Sequence, residues 1–148
     1  VTTLPAARRL RLEALEDRAT PATIPVSNLN DAGPGSLRAA IDQANAANDP
    51  DVIVFAAAVE GGTVGLTTFT NPQAGTTAVP QPAGPTALVV TSPVTIQGTG
   101  ETITRAAGAA EFRLFQVTAA GSLTLVNLTL SGGLARGGAG SGGGAGLG

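Results

Sequence analysis

The sequence predicts a mainly β fold, a solenoid of short parallel strands opened by a capping α-helix, with only its first coils present. Three observations predict it. Short runs of alternating aliphatic residues, separated by glycines or small polar residues, fill the second half of the chain. Within them, aliphatic positions such as Val94 and Leu114, or Ile103 and Leu123, recur about 20 residues apart, a spacing typical of stacked coils. A single amphipathic segment, residues 37–47, precedes these runs.

Composition narrows the chemistry. The 148 residues suit one domain. Charged residues make up 12% of the chain, against roughly 25% in an average domain. Every basic residue is Arg, and Lys, His, Cys, Met, Trp and Tyr are absent, a usage associated with GC-rich bacterial genomes. Without Cys there is no disulfide framework, and without His and Cys there is no catalytic zinc site or imidazole base. A net charge of −2 offers no electrostatic footprint for nucleic acid. No apolar run approaches the roughly 18–20 residues of a spanning helix, so no transmembrane segment is expected. The N-terminus also lacks the apolar core of an ordinary secretory signal.

Three blocks follow along the chain. Residues 1–23 carry Arg8, Arg9 and Arg11, then Leu12 and Leu15 among Glu13, Glu16 and Asp17, and read as a disordered leader or sorting segment. Residues 24–133 hold the cap and the first coils. Residues 134–148 are a Gly-rich, flexible tail, expected to be truncated. In the middle block residues 24–29 suit a short strand, and Asn30 to Gly35 are turn residues throughout. Ser36 is placed as an N-cap; Leu37, Ala40, Ile41, Ala44 and Ala47 then share one helical face. Pro50 ends that helix. Asp51-Val52-Ile53-Val54-Phe55 reads as a buried strand and Thr63-Val64-Gly65-Leu66-Thr67 as a weaker one. Residues 71–85 hold four prolines and read as an irregular excursion. Strands are expected at Leu88-Val89-Val90, Val94-Thr95-Ile96, Thr102-Ile103-Thr104, Leu114-Phe115-Gln116-Val117, Leu123-Thr124-Leu125 and Leu128-Thr129-Leu130.

Such strands also suit a sandwich. The last two runs, however, are separated only by Val126 and Asn127, too close for a typical hairpin, so Asn127 marks a bend within one coil. The Leu37, Ile41 and Ala44 face then serves as a lid over the first coil, whose core and backbone edge would otherwise lie open.

Two resemblances sharpen this reading. Arg8 to Ala22, with Leu12-Glu13-Ala14-Leu15-Glu16-Asp17-Arg18 at its centre, resembles the leader of many large planctomycete surface proteins, which implies export or envelope sorting. Val26 to Ile41, Ala44-Asn45 and Asp51 to Phe55 resemble the opening of bacterial pectin-lyase-like proteins. That opening is similar to the domain named for its Cys-Ser-Leu-Arg-Glu-Ala signature, with Gly35 in place of the Cys and Ala39 in place of the Glu. Ser122 to Gly133 resembles one of its coils. The resemblance implies a right-handed parallel β-helix.

No catalytic, cofactor-binding or metal-binding residue is assigned. Between Gly61 and Gly148 the only acids are Glu101 and Glu111 and the only bases Arg105, Arg113 and Arg136; Glu101 and Arg105 read as a solvated turn pair. Asp31, Asp42, Asp49 and Asp51 match no calcium-loop spacing. Arg38 is expected to bond turn carbonyls beneath the cap. The glycine-rich tail lacks the Lys of a phosphate loop, and Asn127-Leu128-Thr129, formally a glycosylation acceptor, reads as a bend. The expected role is a structural or adhesive module of an exported or cell-surface protein, extracellular or in the cell envelope, with polysaccharide or envelope components as partners. The alternative is the N-terminal part of a polysaccharide lyase or hydrolase whose active coils lie downstream.

Overall fold

The computed structural model describes residues 20–69 and 84–135. Most of the expected leader, proline-rich excursion and glycine-rich tail (residues 1–19, 70–83 and 136–148) therefore lie outside the described residues, while Ala22 and Thr23 belong to the first strand. Among the described residues the fold is mainly β, with one α-helix and three parallel sheets.

The chain opens with β1 (Ala22–Val26) and then makes a loop and the helix α1 (Leu37–Ala47). Six strands follow, β2 (Asp51–Phe55), β3 (Thr63–Leu66), β4 (Thr86–Val90), β5 (Pro93–Gln97), β6 (Thr102–Arg105) and β7 (Arg113–Val117). The last two are β8 (Ser122–Val126) and β9 (Thr129–Ser131). The sheets have the orders β1-β2-β5-β8, β3-β6-β9 and β4-β7. From β2 onward the chain visits the three sheets in rotation and returns to each one layer later. Every strand pair among the described residues is parallel. Val94, Ile103, Leu114 and Leu123 thus lie in stacked parallel strands rather than in the hairpins a sandwich would need.

The return distance differs from the sequence expectation. Ile96 pairs with Leu125, 29 residues on, while Ile103 pairs with Leu130 and Leu88 with Phe115, each 27 residues on. The apparent repeat of about 20 residues compared positions on different sheets: Val94 lies on β5 and Leu114 on β7. Successive strands share the same alternation, so a residue on one sheet mimics its counterpart on the next.

Identical faces stack. Ile24, Ile53, Ile96 and Leu125 form one interior row, and Val64, Ile103 and Leu130 another. The helix forms where its apolar face and its caps agree. Ser36 Oγ accepts the Ala39 N–H at 3.2 Å, and Asn48 ends the helix in the left-handed region at φ 58°. Leu37, Ala40, Ile41 and Ala44 are its buried residues. They pack against β1, β2 and β4, so the helix lies over the first layer. Asn127 likewise adopts a positive φ, 53°, at the bend between β8 and β9. Gly35, the position that departs from the Cys of the signature, has φ 77°, and a Cβ there would collide with the Ser27 side chain. The turn into the helix is built for glycine.

Candidate functional site

The two ends of the strand stack differ in chemistry. At the helix end, backbone groups on the outer edge of β4 are taken up by helix side chains. Arg38 donates to the Ala87 carbonyl, and Asn45 Nδ2 donates to the Val89 carbonyl at 2.8 Å. The Thr91 N–H donates to Asn45 Oδ1, also at 2.8 Å. Ser92 Oγ adds a bond to the Ala44 carbonyl. An edge strand left bare would recruit other strands; here two of its carbonyls, those of Ala87 and Val89, are bonded by the helix.

Arg38 is the hub. Beyond Ala87 it donates to the carbonyls of Asp31 and Thr68, and its Nη2 pairs with Asp31 Oδ1 at 2.7 Å. Asp31 Oδ2 accepts the backbone N–H and the hydroxyl of both Thr67 and Thr68. Burial pushes the Asp31 carboxyl up, but the Arg38 guanidinium and the Thr67 and Thr68 donors outweigh it and hold the group well below the usual carboxylate range. The expected bonding of turn carbonyls by Arg38 is therefore present, and it joins both flanks of the proline-rich excursion to the cap.

Glu101 corrects the sequence expectation. It makes no solvated pair with Arg105; it is fully buried. Its Oε2 accepts the Thr99 N–H at 2.7 Å, and its Oε1 accepts the Thr99 hydroxyl and the Gly61 N–H. The carboxylate thereby ties the turn before β3 to the turn before β6. Burial raises its pKa, and these donors, the Thr99 N–H first, lower it by more. A Cβ at Gly98 would lie 2.5 Å from Glu101 Oε2 and 2.9 Å from the Asn127 carbonyl, so glycine there admits the buried carboxylate. Arg105 instead donates to the carbonyls of Gly132 and Ala109, bracing the turn after β9.

The remaining acids do not converge. Asp42 and Asp49 are exposed, Asp31 sits with Arg38, Thr67 and Thr68 in a clip that holds the helix end together, and Asp51 starts β2. Among the described residues no group of three metal-ligating side chains occurs.

The opposite end is open. Among the described residues no strand pairs with the outer sides of β7, β8 and β9, the last strands of their sheets, although the Leu134 N–H donates to the Phe112 carbonyl just before β7. Val117 is 44% exposed, Leu130 43%, Leu134 37% and Val126 36%. An open depression of about 410 Å³ lies among Arg113, Leu114, Leu130, Gly132, Gly133 and Leu134. Four of the five exposed large hydrophobic residues thus belong to the last strands or the turn beyond them, the fifth being Phe69. Apolar side chains grouped with free strand edges mark an interaction surface.

The residues that sequence reasoning missed are Asn45, Thr67, Thr68 and the buried role of Glu101. Asn45 lies on the helix next to the buried Ala44, and Glu101 sits between glycine-rich turns; those placements were the only hints. No helix among the described residues is long and apolar enough to cross a membrane. No protein-family model, curated protein or solved structure matches the chain.

Proposed function

We propose that this chain is the capping and first-layer module of a right-handed parallel β-helix, serving a structural or adhesive role in an exported, cell-surface protein of the pectin-lyase-like kind. The observation that carries the reading is the contrast between the ends. At one end the helix lies over the first layer and Arg38 and Asn45 bond the Ala87 and Val89 carbonyls of β4, while at the other no helix or strand among the described residues covers β7, β8 and β9, and Leu130 and Leu134 are exposed. That is what the first layers of a stack require, a stop on one side and a template on the other. The rotation through three parallel sheets supports the β-helix, and right-handedness follows from the strong preference of parallel crossover connections for that hand. The leader resemblance supports the address. The acid and base that do meet, Asp31 and Arg38, spend their bonds on backbone and threonine groups of the fold, and Glu101 does the same in its turn, which supports an architectural contribution.

A duplicated layer tests this reading. Inserting a second copy of residues 93–121, one full circuit through β5, β6 and β7, after Gly121 should give a cooperatively folding protein. Its urea m-value should rise with the added buried surface. Loss of cooperative folding on insertion would refute stacked, interchangeable layers. Shaving intact cells of the source organism with protease should release peptides of this chain; their absence would refute the surface address.

A further inference from the structure

Asp51 has no part in the clip, in the Glu101 turn or at the open end. It opens β2 and is 3% exposed. Its Oδ1 accepts the Ala22 N–H at 3.1 Å, while its Oδ2 is buried with no hydrogen-bond partner. In the interior row it stacks on Val94, with Leu123 beyond, and neither side chain has a donor. A buried carboxylate oxygen without a partner is costly and rare in folded chains.

Among the described residues the only donor to Asp51 is the first backbone amide of β1. As a peptide nitrogen it carries one proton and serves one oxygen. As a free α-amino group the same nitrogen would carry three protons and a positive charge, enough for both carboxylate oxygens. The geometry points to Asp51 as the seat of an N-terminal ammonium at Ala22, formed when the chain is cut between Pro21 and Ala22.

The cut is a hydrolysis by an endopeptidase that cleaves after proline. Water adds to the Pro21 carbonyl carbon and the C–N bond breaks. The proton of the new Pro21 carboxyl group passes to the Ala22 nitrogen, leaving a carboxylate and an ammonium. Thr20, Pro21 and Ala22 are exposed, so the bond is accessible, and β1 begins at Ala22, so no strand is lost. The new charge then forms an ion pair with a group already in hydrogen-bonding range. Removal of the leader would thereby stabilise the first layer.

The test starts from the folded full chain, with residues 18–21 replaced by the recognition sequence of a site-specific protease that leaves Ala22 first. Because the sequence has no Lys, the new α-amino group is the only amine on the cut chain, and its acylation is a selective readout. It should react at least tenfold more slowly than the same amine in the cut Asp51→Asn variant. The cut chain should also melt about 4 °C above the uncut one. Equal acylation rates in the two cut chains, or a cut chain melting no higher than the uncut one, would overturn the proposal. Should Asp51→Asn not fold, a peptide of residues 22–27 becomes the reference, and a rate equal to the peptide's overturns it. The protein isolated from its own cells should begin at Ala22; a chain retaining residues 1–21 overturns it.

Discussion

The helix end and the open end are built from the same kind of strand, yet they treat the interior rows differently. Ile53 and Ile96 are fully buried, and Leu125, their counterpart in the last layer, is only partly so. Val64 and Ile103 are fully buried, while Leu130 in the same row is 43% exposed. Position in the stack, rather than residue type, decides how much apolar surface leaves water. Each interior layer is covered on both sides, and the last is covered on one. Stability should therefore be graded along the stack, as in repeat architectures where neighbouring layers supply most of the energy.

The largest effect should come from an interior row. Ile96→Ala removes a side chain packed from both sides and should cost about 4 kcal/mol. Leu125→Ala, in the same row one layer on, should cost about half as much, because part of its surface is already in water. Urea denaturation measures both; equal losses would break the grading.

Next in size is Arg38→Ala. It leaves the Asp31 carboxylate without its cation and the Ala87, Thr68 and Asp31 carbonyls without that donor. The pair is mostly buried, at 17% and 14% side-chain exposure, so the loss should be about 2–3 kcal/mol. Arg38→Lys should recover only part of it, since an ammonium cannot span carbonyls set on three separate segments. Full recovery by Lys would show that the charge alone matters.

Acid should loosen the helix end selectively. The Asp31 carboxyl is held below its ordinary value in the fold. Its contribution is therefore complete above the unfolded value near 3.9, and it is lost as pH falls from there toward the folded value. Glu101 is lowered in the same sense and loses its contribution over a similar range. Urea midpoints should be flat down to about pH 5 and fall below about pH 4. Asp31→Asn should flatten part of that fall, the remainder belonging to Glu101 and other carboxylates. An unchanged slope in Asp31→Asn would remove the clip from the account.

The helix and the short strands were legible in the residues, and the parts of the fold that were not have a common cause. The helix at Leu37–Ala47 and its Ser36 cap rest on local periodicity and a local hydrogen bond, and both lie in the chain as written. That β8 and β9 form no hairpin was legible because only two residues separate Leu125 from Leu128. The repeat length was not, because strands on different sheets carry the same alternation, and register is a long-range property. The Glu101 carboxylate was misplaced for a related reason. Two of its donors come from Thr99, two residues away, but the third comes from Gly61, 40 residues away, and burial follows from layers that only stacking brings together. Arg38 was read correctly as a carbonyl binder, yet its partners Thr68 and Ala87 lie 30 and 49 residues away, on either side of the excursion.

The smallest effect on stability should be the most telling about the open end. Val117 and Leu130 gain less from folding than their interior counterparts, because 44% and 43% of their surface stays in water. Val117→Lys and Leu130→Lys should each cost about 1 kcal/mol or less, since the Lys stem still covers apolar surface while its charge stays in water. The same changes place a charge beside the free edges of β7 and β9, which opposes strand addition there. Light scattering at rising protein concentration should show less self-association in both variants, and a dye that binds exposed apolar surface should fluoresce less. A helix-face control, Asp42→Lys, adds positive charge at the sealed end, where edge groups are already bonded, and should leave association unchanged. Reduced association in that control would mean that net charge, and not the open edge, governs how copies of this chain meet.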